Sequence, residues 1–249
     1  MIDVKDLGKT FPDGTRALHG VNVQIPNGDF VAIIGLSGAG KSTFLRCLNR
    51  LVDPTEGQII VGGRDVAKLR GRALHRYRRT VGFIFQQFNL VERLTVIENV
   101  LTGRLGYHPT WRGVLGLFTE EDKILARQYI NNVGLAEKEI TRVSSLSGGQ
   151  QQRVAIARAM TQEPQLILAD EPMASLDPKL SDVILGLLKS YNEEHGVTVL
   201  VNIHVLELAK RYAKRVLAFN GGELVFDGPV ENLNEVLEEE IYTGSLEAL

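Results

Sequence analysis

The sequence predicts an α/β fold built on a parallel sheet, and three observations carry that reading. Short apolar runs occur at residues 30–34, 81–85, 166–169 and 198–203. They are continuous rather than alternating, as strands buried on both faces require. Each run leads into a chemically distinctive element: Gly35, Gln86, Asp170-Glu171 and His204 in turn. Open parallel sheets present their ligand sites outside the carboxyl ends of the strands. These separate segments therefore place chemistry along one edge. Between the second and third runs the pattern turns helical, as a parallel crossover requires. A length of 249 residues suits one large domain, or a domain with an inserted lobe, with ample core.

The elements follow in order. Ile2 and Val4, then Val21, Val23 and Ile25, alternate at strand period, and Ile25-Pro26-Asn27-Gly28 is a turn. A small antiparallel sheet is expected there. Between Gln86 and Gln162 the pattern turns helical. Thr119 caps a helix with Asp122 three residues on, Ile124, Ala126, Ile130 and Val133 follow at helical spacing, and Gly134 ends it. A second helix opens at Ser147, runs through Val154, Ile156 and Ala157 to Met160, and is closed by Pro164. Residues 216–219 and 223–226 form a hairpin turned at Asn220-Gly221-Gly222. An acidic helical tail with Leu233, Val236, Leu237 and Ile241 on its apolar face is expected after it.

Composition narrows the function. Lys and Arg number 28 against 30 Asp and Glu, so there is no footprint for nucleic acid. Cys47 stands alone, which excludes an internal disulfide or a cysteine metal cluster, and it reads as a packed helix residue. No apolar run reaches the length of a membrane span, and residues 1–6 lack the apolar core of a signal peptide. The expectation is a soluble cytoplasmic protein that meets a membrane only through a partner.

The chemistry starts at Gly35-Leu36-Ser37-Gly38-Ala39-Gly40-Lys41-Ser42, which fits the G-x-x-x-x-G-K-[ST] pattern of a nucleotide P-loop. Gly35, Gly38 and Gly40 let backbone N–H groups, with that of Ser37, close on phosphate oxygens. The helix that follows adds its positive end. Lys41 is placed for the β- and γ-phosphates, Ser42 for Mg²⁺, and Thr43 for a further phosphate contact. Asp170, after an apolar strand, is a Mg²⁺ carboxylate by position. Glu171 beside it can orient or deprotonate a water. A second anion-binding turn, Leu146-Ser147-Gly148-Gly149-Gln150, opens a helix with an N-cap serine and exposed backbone donors. On capping chemistry alone it is only a well-capped helix. One nucleotide needs one cradle, so two cradles point to a nucleotide held between two copies of the chain.

The five residues 146–150, continued by Gln151-Gln152-Arg153, resemble the signature motif of ATP-binding cassette (ABC) ATPases. The P-loop, Phe85-Gln86-Gln87, Asp170-Glu171, Ser175-Leu176-Asp177 and His204 accompany it in order over nearly the whole chain. The resemblance implies a P-loop NTPase (RecA-like) core with a parallel sheet, an N-terminal antiparallel β subdomain and an inserted helical subdomain. Residues 1–88 and 163–249 would supply the core and the β subdomain, and 89–162 the helical subdomain. It implies ATP and Mg²⁺ as ligands, and a head-to-tail homodimer in which Ser147 and Gly149 of one copy face the γ-phosphate on the other. Gln86 would sense the metal and the water, Asp177 would cross the interface, and His204 would hold the γ-phosphate and position Glu171. Phe11 sits where the family stacks an aromatic ring on adenine; a core phenylalanine is the alternative.

Within the family, residues 84–91, Gly103-Arg104-Leu105-Gly106, Trp111-Arg112, residues 115–118, residues 169–178 and residues 225–229 resemble the ATPases of phosphonate importers. The sequence departs from that subgroup at Val205-Leu206-Glu207 and at Asn202. The resemblance implies two transmembrane permease subunits as partners, a periplasmic or surface substrate-binding protein acting indirectly, and a peripheral place on the cytoplasmic face of the cell membrane. The apolar stretch Trp111, Val114, Leu115, Leu117 and Phe118 either meets a membrane subunit or packs inside the helical lobe. Alternative readings are a polar amino-acid importer ATPase and, from another class, a non-transport P-loop ATPase or kinase. The spacing from Lys41 to Ser147 leaves no room for the long coiled coil of repair ATPases, and a kinase has no use for the second turn.

Overall fold

The computed structural model describes residues 1–174, 176–233 and 241. In chain order its elements are β1 (Ile2–Thr10), β2 (Arg16–Ile25), β3 (Phe30–Ile34), α1 (Lys41–Leu48), β4 (Glu56–Val61), β5 (Arg64–Asp65) and α2 (Gly71–Arg79). Then come β6 (Val81–Ile84), α3 (Val96–Leu101), α4 (Thr110–Val114), α5 (Glu120–Asn132), α6 (Gly148–Thr161) and β7 (Leu166–Ala169). The chain continues with α7 (Pro178–His195), β8 (Thr198–Asn202), α8 (Leu206–Tyr212), β9 (Arg215–Asn220) and β10 (Glu223–Pro229).

The central sheet has the order β10-β9-β3-β8-β7-β6, with β9, β3, β8, β7 and β6 parallel and β10 antiparallel at the edge. The continuous apolar runs have a simple cause here. On β3, Phe30, Ala32 and Ile34 face the layer that holds α3, α5, α6 and α7, while Val31 and Ile33 face the layer that holds α1 and the second sheet. On β7, Ile167 and Ala169 take the first side, and Leu166 and Leu168 the second. Both faces are dry, so neither set of alternate positions tolerates a polar side chain.

The second sheet, β2-β1-β4-β5, is antiparallel. The expected small antiparallel sheet is present, and in it Val4 pairs with Val23. Periodicity did not reveal that β4 joins it, because Glu56, Gly57 and Gln58 dilute that strand's pattern. The expected terminal hairpin is present as β9 and β10, but β9 also lies parallel to β3 and extends the central sheet. Its run Val216-Leu217-Ala218-Phe219 is fully buried on both faces.

Capping fixes the helices between β6 and β7. Thr119 and Asp122 form a capping box for α5, and Ser147 and Gln150 form one for α6. Gly134, at φ +68°, follows the end of α5. Trp111, Leu115 and Leu117 are exposed, whereas Phe118 packs on the core and edge-on against His108. The side chain of Val114, all of Ser175, and Val236 and Leu237 of the expected tail lie outside the described residues; Leu233 and Ile241 are buried in the core. Among the described residues, no helix is long and apolar enough to cross a membrane.

One polar knot ties this helical region together. Asp122 is buried and accepts from Arg104 Nε at 2.8 Å, from Thr119 Oγ1 at 3.0 Å and from His108. Burial pushes its carboxyl up, but the bonds from Arg104, Thr119 and His108 more than offset this and hold it below the usual value. A depressed carboxyl stabilises the fold above its unfolded-state pKa of about 3.9 and loses that contribution as pH falls through the folded value. Asp122→Asn is therefore expected to cost roughly 1–3 kcal/mol in urea unfolding at pH 7. The gap to the wild type should close as the pH is taken below the ordinary carboxylate range. A gap that stays constant with pH would show that charge is not the cause.

Candidate active site

The P-loop joins β3 to α1 as a turn that only glycine can make. Gly35 has φ +136°, and a Cβ there would lie 2.1 Å from the carbonyl oxygen of Phe219 on β9. Gly38 (φ +82°) is at the exposed crest beside Ser37, with nothing within 4 Å of where its Cβ would be. That open space above backbone donors is the cradle an anion needs. Lys41 is buried at the first position of α1 and donates through Nζ to the carbonyls of Gly35 (2.8 Å) and Leu36 (2.6 Å). Burial lowers its pKa, and the nearby carboxylates of Glu171 and Asp170 oppose that shift. Thr43 is half-buried one step beyond Ser42.

The parallel register brings the other strand ends to the same edge. Asp170 follows β7, is 1 % exposed, and its N–H donates to the Ile84 carbonyl at 2.9 Å. Ser42 Oγ donates to Asp170 Oδ1 at 2.6 Å. Glu171 comes next with φ +50°, a conformation an L-residue rarely holds. Its carboxylate is strung between two partners: Gln86 Nε2 donates to Oε2 at 2.8 Å, and His204 Nε2 stands 2.6 Å from Oε1. Lys41, Ser42, Gln86, Asp170, Glu171 and His204 thus converge, as expected from sequence.

Two neighbours of this group escaped the sequence reading. Arg46 reaches Asp170 Oδ2 at 3.0 Å. Asn202, fully buried at the end of β8, donates to Asp170 Oδ1 at 3.3 Å. The i, i+4 spacing of Ser42 and Arg46 was a usable signal, because it puts both on one face of α1. Asn202 gave a weaker one, as the polar end of an otherwise apolar strand.

Among the described residues no three His, Cys, Asp or Glu side chains cluster to hold a metal. A hydroxyl and a carboxylate 2.6 Å apart are instead oxygen donors of the kind that Mg²⁺ takes when phosphate and water complete its shell. The residues fit that ion.

A family model described as ABC transporter matches residues 18–174. The chain belongs to the ABC transporter family. The cassette is 50 % identical over 245 residues to the "Phosphonates import ATP-binding protein PhnC" of Staphylococcus epidermidis, covering 98 % of this chain and 95 % of that protein. The protein of the same name from Treponema denticola is 50 % identical over 244 residues, with the same coverage. Among solved structures, the dimeric post-hydrolysis state of the ATP-binding cassette MJ0796 bound to ADP and Pi is similar with a TM-score of 0.83 and 37 % identity, over 94 % of this chain and 100 % of that one. A further dimeric structure of MJ0796 has a TM-score of 0.84 and 38 % identity at the same coverage. The cassette is a nucleotide-binding ATPase of this kind, and the RecA-like α/β architecture expected from sequence is the one it has.

The remaining predicted residues form a second group in the cassette. Ser147 caps α6, accepting from Gln150 N–H at 3.4 Å, while Gln150 Oε1 accepts from Ser147 N–H at 3.1 Å. Gly149 is buried against Leu180, at the start of α7. Asp177 caps α7, accepting from Leu180 N–H at 3.0 Å. Among the described residues, no hydrogen bond or ion pair joins Ser147, Gly149 or Asp177 to the Lys41–Glu171 group. Phe11 is half-buried, lies in neither core cluster, and carries Lys9 Nζ 5.0 Å from its ring centroid. The core alternative for Phe11 therefore falls away.

Proposed function

We propose that this cassette is the ATP-hydrolysing subunit of a bacterial importer for phosphonates or related phosphorus oxyanions. The observation that carries the transport reading is the 50 % identity to phosphonate import ATPases over nearly the full chain. In this reading the cassette works as a homodimer beneath two permease subunits, on the cytoplasmic face of the cell membrane. A periplasmic or surface binding protein delivers the substrate, and no nucleic acid takes part. Residues 1–88 and 163–249 hold ATP, and residues 89–162 carry the signature turn.

In this reading the residues take the following roles. Phe11 stacks on the adenine. Gly35, Ser37, Gly38, Gly40 and Thr43 wrap the phosphates, and Lys41 balances the charge on the β- and γ-phosphates. Ser42 and Asp170, with Gln86, would hold a magnesium ion, which would supply neutralisation of the phosphate charge. Glu171, oriented by His204 and Gln86, accepts a proton from the attacking water. The oxygen of that water bonds to the γ-phosphorus as the bond to the bridging oxygen breaks, which leaves ADP and phosphate. His204 also steadies the γ-phosphate. Ser147, Gly149 and Asp177 come from the second copy. ATP closes the dimer, hydrolysis reopens it, and the permease alternates with it.

Deleting the gene should abolish growth on a phosphonate as sole phosphorus source and spare growth on phosphate. Wild-type protein should restore growth, and Glu171→Gln should not. Unimpaired growth on phosphonates, with uptake of a polar amino acid lost instead, would overturn the substrate assignment and leave the ATPase reading standing.

A further inference from the structure

Asp170 is held from both sides, and the two sides differ in charge. Its Oδ1 takes neutral donors, Ser42 Oγ at 2.6 Å and Asn202 Nδ2 at 3.3 Å. Its Oδ2 takes a cation, Arg46 at 3.0 Å. Arg46 stands one helical turn after Ser42 on α1, so the hydroxyl and the guanidinium arrive at one carboxylate together. The Arg46 side chain is 44 % exposed while that of Asp170 is buried. Its partner is therefore fixed, and its own charge remains partly screened by water.

We propose that Arg46 is a positioning residue that sets how tightly the nucleotide site takes its divalent cation. The proposal rests on the reading of Ser42 and Asp170 as the metal pair. Arg46 pairs with Asp170 and offsets the charge of that carboxylate. Being a fixed positive charge on that carboxylate, it also opposes a second cation there. Asn202 holds the opposite oxygen, so Asp170 keeps its orientation without Arg46. Loss of the Arg46 charge consequently strengthens cation binding. A merely structural brace would do the reverse, since removing it would loosen Asp170 and weaken binding. The arrangement keeps the cation exchangeable with nucleotide at each turnover.

The test is Mn²⁺ binding, followed by the free-ion EPR signal, to the full chain saturated with ADP. Arg46→Gln should bind Mn²⁺ about three- to tenfold more tightly than the wild type, the range expected of a half-screened charge. Arg46→Lys, which keeps the charge, should stay near the wild type. The difference between Arg46→Gln and wild type should shrink as NaCl rises. Unchanged or weaker binding by Arg46→Gln, in a variant that melts like the wild type, would overturn the proposal. So would tightening of equal size in Arg46→Lys. Asp170→Asn separates the two readings. If it leaves Mn²⁺ affinity intact, the metal pair itself is wrong; if it abolishes binding while Arg46→Gln weakens it, only the role of Arg46 fails.

Discussion

Glu171→Gln is expected to lower ATP turnover by roughly 10²–10⁴, or about 3–5 kcal/mol of barrier, the usual worth of a general base. The substitution keeps size and shape at a position whose φ of +50° is already strained. One amide oxygen can still accept a hydrogen bond, so either the Gln86 or the His204 contact survives. What disappears is the capacity to take a proton from water. Nucleotide affinity should change little, because Lys41 and the P-loop are untouched. ATP should then be bound and not consumed, and the closed dimer should accumulate. Single-turnover hydrolysis and light scattering with ATP check the two halves of this expectation. Turnover within about twofold of wild type would remove Glu171 from its assigned role, since a twofold change is under 0.5 kcal/mol.

What the sequence made legible was local. Four strands of the central sheet, β3, β6, β7 and β8, announced themselves because both of their faces are dry, and each carboxyl end carried a residue type that chemistry could interpret. Thr119 with Asp122 and Ser147 with Gln150 predicted helix starts because capping partners sit three residues apart. The illegible parts depend on partners distant in sequence. The polar opening of β4 has no period that marks it as a strand until β1 lies beside it. The apolar run of β9 looked like half a hairpin, and its parallel pairing with β3 spans most of the chain. Arg46 and Asn202 lie 124 and 32 residues from Asp170, and nothing local says that both end on its carboxylate. Asp177 was read through the family resemblance alone, and its hydrogen bond to Leu180 gives it a local capping role as well.

Mixing two inactive variants tests the most consequential step, from one chain to two. Lys41→Ala removes the cation of the P-loop, and Ser147→Arg puts a long cationic side chain on the signature turn. Each homodimer is expected to lose roughly 10²–10³ in turnover, as when a charge-stabilising donor is deleted. Within one chain the Lys41 group and the Ser147 group share no hydrogen bond or ion pair among the described residues, so neither completes the other. If the twofold arrangement holds, a heterodimer pairs the intact Lys41 of one copy with the intact Ser147 of the other and leaves both defects in the second site. Random exchange in an equal mixture makes about half the dimers heterodimers, each with one intact site, so recovery should approach roughly a quarter of wild-type activity. A lower value, still well above that of either homodimer, would mean that the two sites must fire together. Full activity of either variant alone would show that its residue is not needed at the nucleotide. Recovery no greater than the sum of the two inactive proteins, with subunit exchange verified, would place both residues in the site of a single chain.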